Sequence, residues 1–223
     1  MAGTVASGAI GGAITGGTVS TMFGGSFSDG AISGGIGGGL NAGISWMGQH
    51  AKINVEADNL GLSGDKSAGD PTDENLQNKG KNWFNQEEGK NGLNTLEVAN
   101  KKNISSTYTI KDGELFQGDM KVDGYTEMSN EGWIGNSDVR IATTSFSGER
   151  RLYMILSHEF IHVKQFYLGD ALKWKEEYGW KEAYQRMDAQ AYYWGNYIPA
   201  KQFGWSYYKK WSYAKYIKYR NRY

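Results

Sequence analysis

Cysteine is absent from the chain, which excludes disulfides and thiolate ligands, so any metal here must be held by nitrogen and oxygen. Net charge is absent too: 24 Lys and Arg balance 24 Asp and Glu, and the overall field gives no case for a nucleic-acid partner. The balance hides a gradient. No acidic residue follows Asp188, whereas Lys201, Lys209, Lys210, Lys215, Lys218, Arg220 and Arg222 all do, and residues 51–137 lean acidic. The opening has neither the basic n-region nor the tidy apolar h-region of a secretory signal and is not read as one. Histidine is scarce, with three in 223 residues. Two of them, His158 and His162, frame Glu159 in an H-E-x-x-H pattern, for which this composition gives a chance expectation on the order of a few in a thousand.

What is present falls into three segments. Residues 1–48 are dominated by glycine, alanine, serine and isoleucine, with Gly8, Gly12 and Gly16 and then Gly30, Gly34 and Gly38 at helical spacing around the turn-like "SFSDG". Glycines four apart put a flat strip on one helix face, so one reading is a hairpin that enters a bilayer or touches it transiently. The other is a flexible or protein-packed connector, because interior glycine disfavours helix and few large apolar residues are there to drive insertion. Residues 51–136 are polar, and "NLGLSGDKSAGDPTDENLQNKGK" reads as loop. Beyond it, "ISSTYTI" and "ELFQGDMKV" flank an Asp112-Gly113 turn signal and predict a hairpin.

In the third segment, "SDVRIATTSF" predicts a strand. Ser147 is the expected N-cap of a helix over about 148–168, with Glu149 in its first turn and Gly169 closing it. Leu152, Ile155, Leu156, Phe160 and Val163 recur along it at helical spacing, so the motif falls inside an amphipathic helix. Further helices are predicted over 170–178 and 180–194, the latter ended by Gly195 and Pro199.

Residues four apart on a helix share a face, so His158 and His162 reach one cation. Two imidazoles suit Zn2+, which in catalytic sites takes a third protein ligand and a water. Glu159, turned about 100° from His158, is placed as the general base beside that water. The third ligand is sought among carboxylates without partners. Glu177 has Lys181 four residues on, Glu182 has Arg186, and Glu176 has Lys173 three residues back, each an ordinary surface pair worth roughly a few tenths of a kcal/mol. Asp188 has no helical counter-charge and shares a face with Tyr184 and Tyr192. A carboxylate in that setting is costly without a cation, which makes Asp188 the expected ligand, Glu182 its rival, and Glu176 or Glu177 weaker candidates.

Three further readings stay open. Tyr184 or Tyr192 is a suitable donor to an oxyanion, although packing explains either. The strand over 138–146 is either a sheet-core strand or an exposed edge that pairs with an extended peptide. The basic aromatic tail, residues 199–223, suits a helix packed through Trp205, Tyr208, Trp211 or Ser212, Lys215 and Tyr216 with its lysines outward. The same mixture also suits a nucleic-acid or anionic-membrane surface.

"HEFIH", together with "QRMDAQAYYWG" downstream, resembles the zincin metallopeptidases, especially the short toxin domains at the C-termini of bacterial polymorphic toxins, including the Rhs type. The glycine-rich lead-in resembles the low-complexity stretch that joins an Rhs-type core to its toxin. The resemblance implies an α+β, zincin-like domain over residues 51–223: a small, mainly antiparallel sheet, the active-site helix, and C-terminal helices, preceded by the Gly-rich segment. It further implies a zinc-dependent peptidase that acts on a protein or peptide substrate, is delivered into a target bacterial cell as part of a larger toxin, and is neutralised by a cognate immunity protein. Asp188 stands where many members carry glutamate. The competing expectations are a membrane-active toxin working through its glycine repeats, and a nucleic-acid-binding module working through the tail.

Overall fold

Thr72 starts the first helix: its side chain accepts from the Asn75 backbone N–H at 3.2 Å, and Asp73 and Glu74 lie in the first turn, where carboxylates favour the dipole. That helix, α1, spans Asp73–Phe84 and buries Leu76, Gly80, Trp83 and Phe84, residues spaced to fall on one face. The computed structural model describes residues 60, 62, 66–129 and 132–222, all within one unit, Glu56–Tyr223. The glycine-rich segment over 1–48, and with it both the connector and the membrane-hairpin readings, lies outside the described residues, as does His50. Helix α1 corrects the expectation of loop through residue 81. The apolar spacing was there, but asparagine, lysine and glycine between the buried positions masked it.

The chain is mixed α+β, with two three-stranded sheets instead of one among the described residues. The first is built from β1 (Leu93–Val98), β6 (Ser137–Ile141) and β5 (Gly124–Met128), in the order β1-β6-β5, with β1 parallel and β5 antiparallel to β6. The second is an antiparallel meander of β2 (Tyr108–Lys111), β3 (Glu114–Gln117) and β4 (Met120–Val122). Asp112 and Gly113 both take positive φ, 53° and 80°, which matches the twist of a two-residue hairpin turn and sets Lys111 opposite Glu114. The second run of the expected hairpin breaks at Gly118, with φ 58°, so that its end becomes a third strand.

Strand β6 is central, hydrogen-bonded on both sides, so the edge role considered for residues 138–146 does not hold for Ser137–Ile141; the following residues, Thr143–Ser147, form a 3₁₀ turn. The two edges of this sheet belong to β1 and β5. Helix α2 (Glu149–Tyr167) is next, and its N-cap is Gly148 without a side-chain cap, correcting the assignment to Ser147. Glu149 is instead bound by Lys79 of α1 at 3.0 Å, both side chains being largely shielded from water. Gly169, at φ 82°, ends α2 as expected.

Helices α3 (Asp170–Tyr178) and α4 (Trp180–Gln190) follow. Gly195 does not stop the chain from coiling: α4 runs into a π-helical segment, Ala191–Tyr197, and then into α5 (Ile198–Gln202), which carries Pro199 in its first turn, where its missing N–H is harmless. The last helix, α6 (Ser206–Arg220), packs against α4 and the π segment. Trp205 and Ser212 are buried while Lys209, Lys210 and Lys218 face water, which is the packed arrangement of the tail. Among the described residues no helix is long and apolar enough to cross a membrane.

Helix α2 is enclosed on nearly every side, as a helix at the centre of a fold should be. Leu152, Tyr153, Leu156, Phe160 and Val163 meet the core formed with α1, β1 and β6. Tyr153 and Phe160 both pack on the Phe84 ring, at 4.7 and 5.3 Å between centroids. Phe160→Ala is therefore expected to lower unfolding free energy by about 3–5 kcal/mol in a denaturant titration, through lost burial and an unfilled cavity.

Candidate metal centre

Among the described residues a single group of imidazoles and carboxylates gathers its ligand atoms: His158, His162 and Asp188, all within 4.8 Å of one another. The two Nε2 atoms are 3.1 Å apart, and His162 Nε2 lies 3.4 Å from Asp188 Oδ1. Tetrahedral zinc bonded to nitrogen or oxygen at about 2.0–2.1 Å sets its ligands roughly 3.3 Å apart, so both spacings fit a shared cation.

The far side of each ring decides what these atoms are. The Asn196 amide donates through Nδ2 to the Met154 carbonyl at 2.5 Å, which turns its Oδ1 to His158 Nδ1 at 3.0 Å. The Gln165 amide donates through Nε2 to the Met187 carbonyl and to Gln190 Oε1, both at 3.2 Å, leaving its Oε1 on His162 Nδ1 at 2.8 Å. An amide oxygen only accepts, so each Nδ1 carries the proton and donates it. Each Nε2 of the neutral ring then presents a lone pair. Two lone pairs and a carboxylate oxygen point into one space, a donor set that asks for a cation, and amide-held imidazoles are how metal-binding histidines are oriented.

The charges agree. Burial and the neighbouring His162 push His158 down to about 4. Burial acts against charge on His162 as well, but the Asp188 and Glu159 carboxylates outweigh it and raise its pKa. For Asp188 burial is likewise outweighed, by the hydrogen bond and charge of His162 and then by His158, so its carboxyl sits below the ordinary range. With its side chain 32% exposed against 12% for His162, Asp188 leaves the group open on one side.

Glu159 is buried, and its Oε2 accepts from the Thr126 hydroxyl of β5 at 2.8 Å. The same hydroxyl lies 3.1 Å from the Glu159 carbonyl, tying strand to helix where the motif sits. Burial pushes Glu159 up to about 7, with His162 and Thr126 acting in the opposite direction. A carboxyl poised near neutrality is suited to taking and returning a proton.

A regular α-helix would turn Asn196 about 80° away from Asp188, eight residues earlier. Wider π turns of roughly 80° per residue take up most of that difference, so both residues address α2. The approach is close because Gly195 has no side chain: a Cβ there would stand 2.7 Å from the Ser157 carbonyl oxygen and 3.0 Å from His158 Cα.

Of the other carboxylates, Glu182 is bound by Arg186 at 2.6 and 3.0 Å and lies outside the metal-ligand group, while Glu176 and Glu177 are exposed on α3. Only the Glu182–Arg186 ion pair forms among the three expected. Tyr192 packs edge-on against His158 at 4.5 Å, and Tyr184 is 50% exposed beside Trp133. The roles of Asn196, Thr126 and Gln165 were not legible in the sequence. The "WGN" at 194–196 offered a faint signal, a small residue beside an amide, and Thr126 offered none.

No family model, curated protein or solved structure matches the chain.

Gly195→Ala is expected to force the π segment off α2 and weaken metal binding together with thermal stability. Asn196→Ala or Gln165→Ala is expected to reduce zinc affinity by about 10–100-fold, read by chelator competition, because the ring it orients is freed.

Proposed function

We propose that this chain is a zinc-dependent peptidase of zincin type, in which His158, His162 and Asp188 hold the metal and Glu159 is the general base. One observation carries the reading: both imidazoles are fixed by amides in the tautomer that turns Nε2 lone pairs toward each other and toward Asp188. A bound zinc supplies a Lewis acid that polarises a water and the carbonyl to be attacked. Glu159, held by Thr126, takes the proton of the attacking water and returns it to the departing amine. Asp188, its carboxyl held below the ordinary range, stays ionised through the neutral range.

The outer edge of β5, which has no strand partner among the described residues, supports a peptide substrate bound in extended form. Thr126 sits on that strand, so a segment paired to it would lie beside Glu159. The biological setting in this reading is an antibacterial effector, delivered into a target cell as part of a larger toxin and countered by an immunity protein. It rests on the resemblance of the motif and of the glycine-rich lead-in.

Metal analysis tests the centre: near-stoichiometric zinc is expected in wild type, and its loss in the His158→Ala, His162→Ala double variant. Zinc retained by that variant would sink the reading. Occupancy should fall on acidification, since imidazoles must give up metal to accept protons, with His162 the first to be protonated. Glu159→Gln should keep zinc and fold but lose hydrolysis and toxicity when expressed in bacteria. Undiminished toxicity of that variant would dismiss the protease mechanism.

A further inference from the structure

We propose that Met128, Trp133 and Tyr184 form a specificity subsite, which receives a large apolar side chain of a peptide bound along β5, two residues from the one beside Glu159. This rests on the peptidase reading above and deepens it, because it states which substrates the site prefers and which residues select them.

The phase of β5 follows from the hydrogen bonds at its two ends. The Ala142 N–H donates to the Asp123 carbonyl and the Ser129 N–H to the Asn136 carbonyl, both at 2.9 Å. Antiparallel pairs alternate, so within the register from Gly124↔Ile141 to Met128↔Ser137 it is Tyr125 and Glu127 that bond β6. Gly124, Thr126 and Met128 therefore turn their backbone N–H and C=O groups outward, to the edge that has no strand partner among the described residues. Peptide residues paired opposite Thr126 and Met128 put their side chains on the face those two share, where Thr126 reaches Glu159. The peptide residue between them turns to the other face.

What stands at Met128 is apolar. Met128 and Trp133 pack on the buried cluster of Phe166, Ala171 and Met187. Trp133 meets Phe166 at 6.4 Å and Tyr184 at 5.0 Å between centroids, and Trp180 meets Tyr184 at 6.4 Å. One step from the candidate centre leads to this patch on each of three elements: Thr126 to Met128 on β5, His162 to Phe166 by a turn of α2, and Asp188 to Tyr184 by a turn of α4. The rings are not sealed from water. Tyr184 is 50% exposed, Trp180 65%, and Ile134, the neighbour of Trp133 in the chain, 53%. Contiguous apolar surface left in water marks a contact region, and its continuity with the free edge of β5 makes the occupant a side chain of the substrate itself.

Short peptides of random sequence, with products read by mass spectrometry, test this on the zinc-loaded full chain. Wild type should favour Phe, Tyr, Leu or Met at one position on one side of the bond broken, with the position next to it unrestricted. For two peptides that differ only in an apolar residue or alanine there, Tyr184→Ala should lower the ratio of their kcat/KM values about tenfold, with zinc content and unfolding midpoint unchanged. Binding of the same two peptides to Glu159→Gln, which does not cleave them, should differ about tenfold as well. Tyr207→Ala, which removes a ring 74% exposed on α6, should leave the kcat/KM ratio at its wild-type value. Cleavage without the preference overturns the proposal alone, as does an equal fall of the ratio in the Tyr184 and Tyr207 variants. Self-association of wild type that Tyr184→Ala abolishes, with the ratio unmoved, assigns the patch to a second copy and overturns the proposal too. If zinc-loaded wild type cleaves no peptide, the peptidase reading fails and this inference with it.

Discussion

Two imidazole lone pairs 3.1 Å apart, with a carboxylate oxygen 3.4 Å from one of them, repel each other unless positive charge stands between. Left to themselves the rings would rotate or change tautomer. They do neither because Asn196 and Gln165 hold the opposite nitrogens, and each amide is in turn locked by the carbonyl its own N–H groups must satisfy. The repulsion is therefore built in and held by hydrogen bonds with little freedom to reverse. That constraint dictates much of the surrounding architecture, since Asn196 must be brought to α2 from a distant part of the chain and Gln165 must be anchored by carbonyl and amide oxygens of α4.

Helix α2 meets it by being central. One face buries Leu152, Leu156 and Phe160 against the parallel pair β1–β6 and helix α1, and this fixes the helix in place. The opposite face is then free to hold polar groups at low exposure, provided the neighbouring segment comes close enough to satisfy them. Gly195 permits the approach and the π turns set the phase, so that Asp188 and Asn196, from one continuous helical run, reach His162 and His158 respectively. A π segment hydrogen-bonds less well than an α-helix, and its presence beside the histidines fits the tendency of such segments to occur where function needs a particular phase.

The electrostatics follow from the same enclosure. Burial separates the two histidines, lowering His158 while the carboxylates raise His162, and it brings Glu159 up toward neutrality beside a carboxylate, Asp188, held low. Two acidic side chains in one group thus shift in opposite directions because their neighbours differ: burial dominates at Glu159, whose Oε2 accepts from one hydroxyl, whereas the two imidazoles outweigh burial at Asp188. The basic, aromatic end of the chain belongs to this picture. Ring contacts connect His158 through Tyr192 to Tyr219 and Trp211, and Lys218 and Arg222 lie 5.9 and 5.6 Å from the Tyr219 ring.

The sequence by itself determined the motif helix, its C-terminal glycine and the Asp112-Gly113 hairpin, and it pointed to Asp188 among the four acids weighed, because periodicity, turn chemistry and i,i+4 pairing are local and readable from neighbours. It also carried the signal of α1, an N-capping threonine followed by buried positions at helical spacing, beneath a polar composition that reads as loop. What tertiary structure decided was everything that depends on distant partners. The place of β6 at the centre of its sheet comes from β1, more than forty positions earlier by the Leu93↔Ser137 pairing, and from β5. The passage of the helix through Gly195 and Pro199 reflects packing against α2, which outweighs the local tendency of glycine to end a helix. The holding of His158, Glu159 and His162 by Asn196, Thr126 and Gln165 mostly joins residues with no fixed spacing, and a hydrogen bond between distant segments leaves no period in the sequence to read.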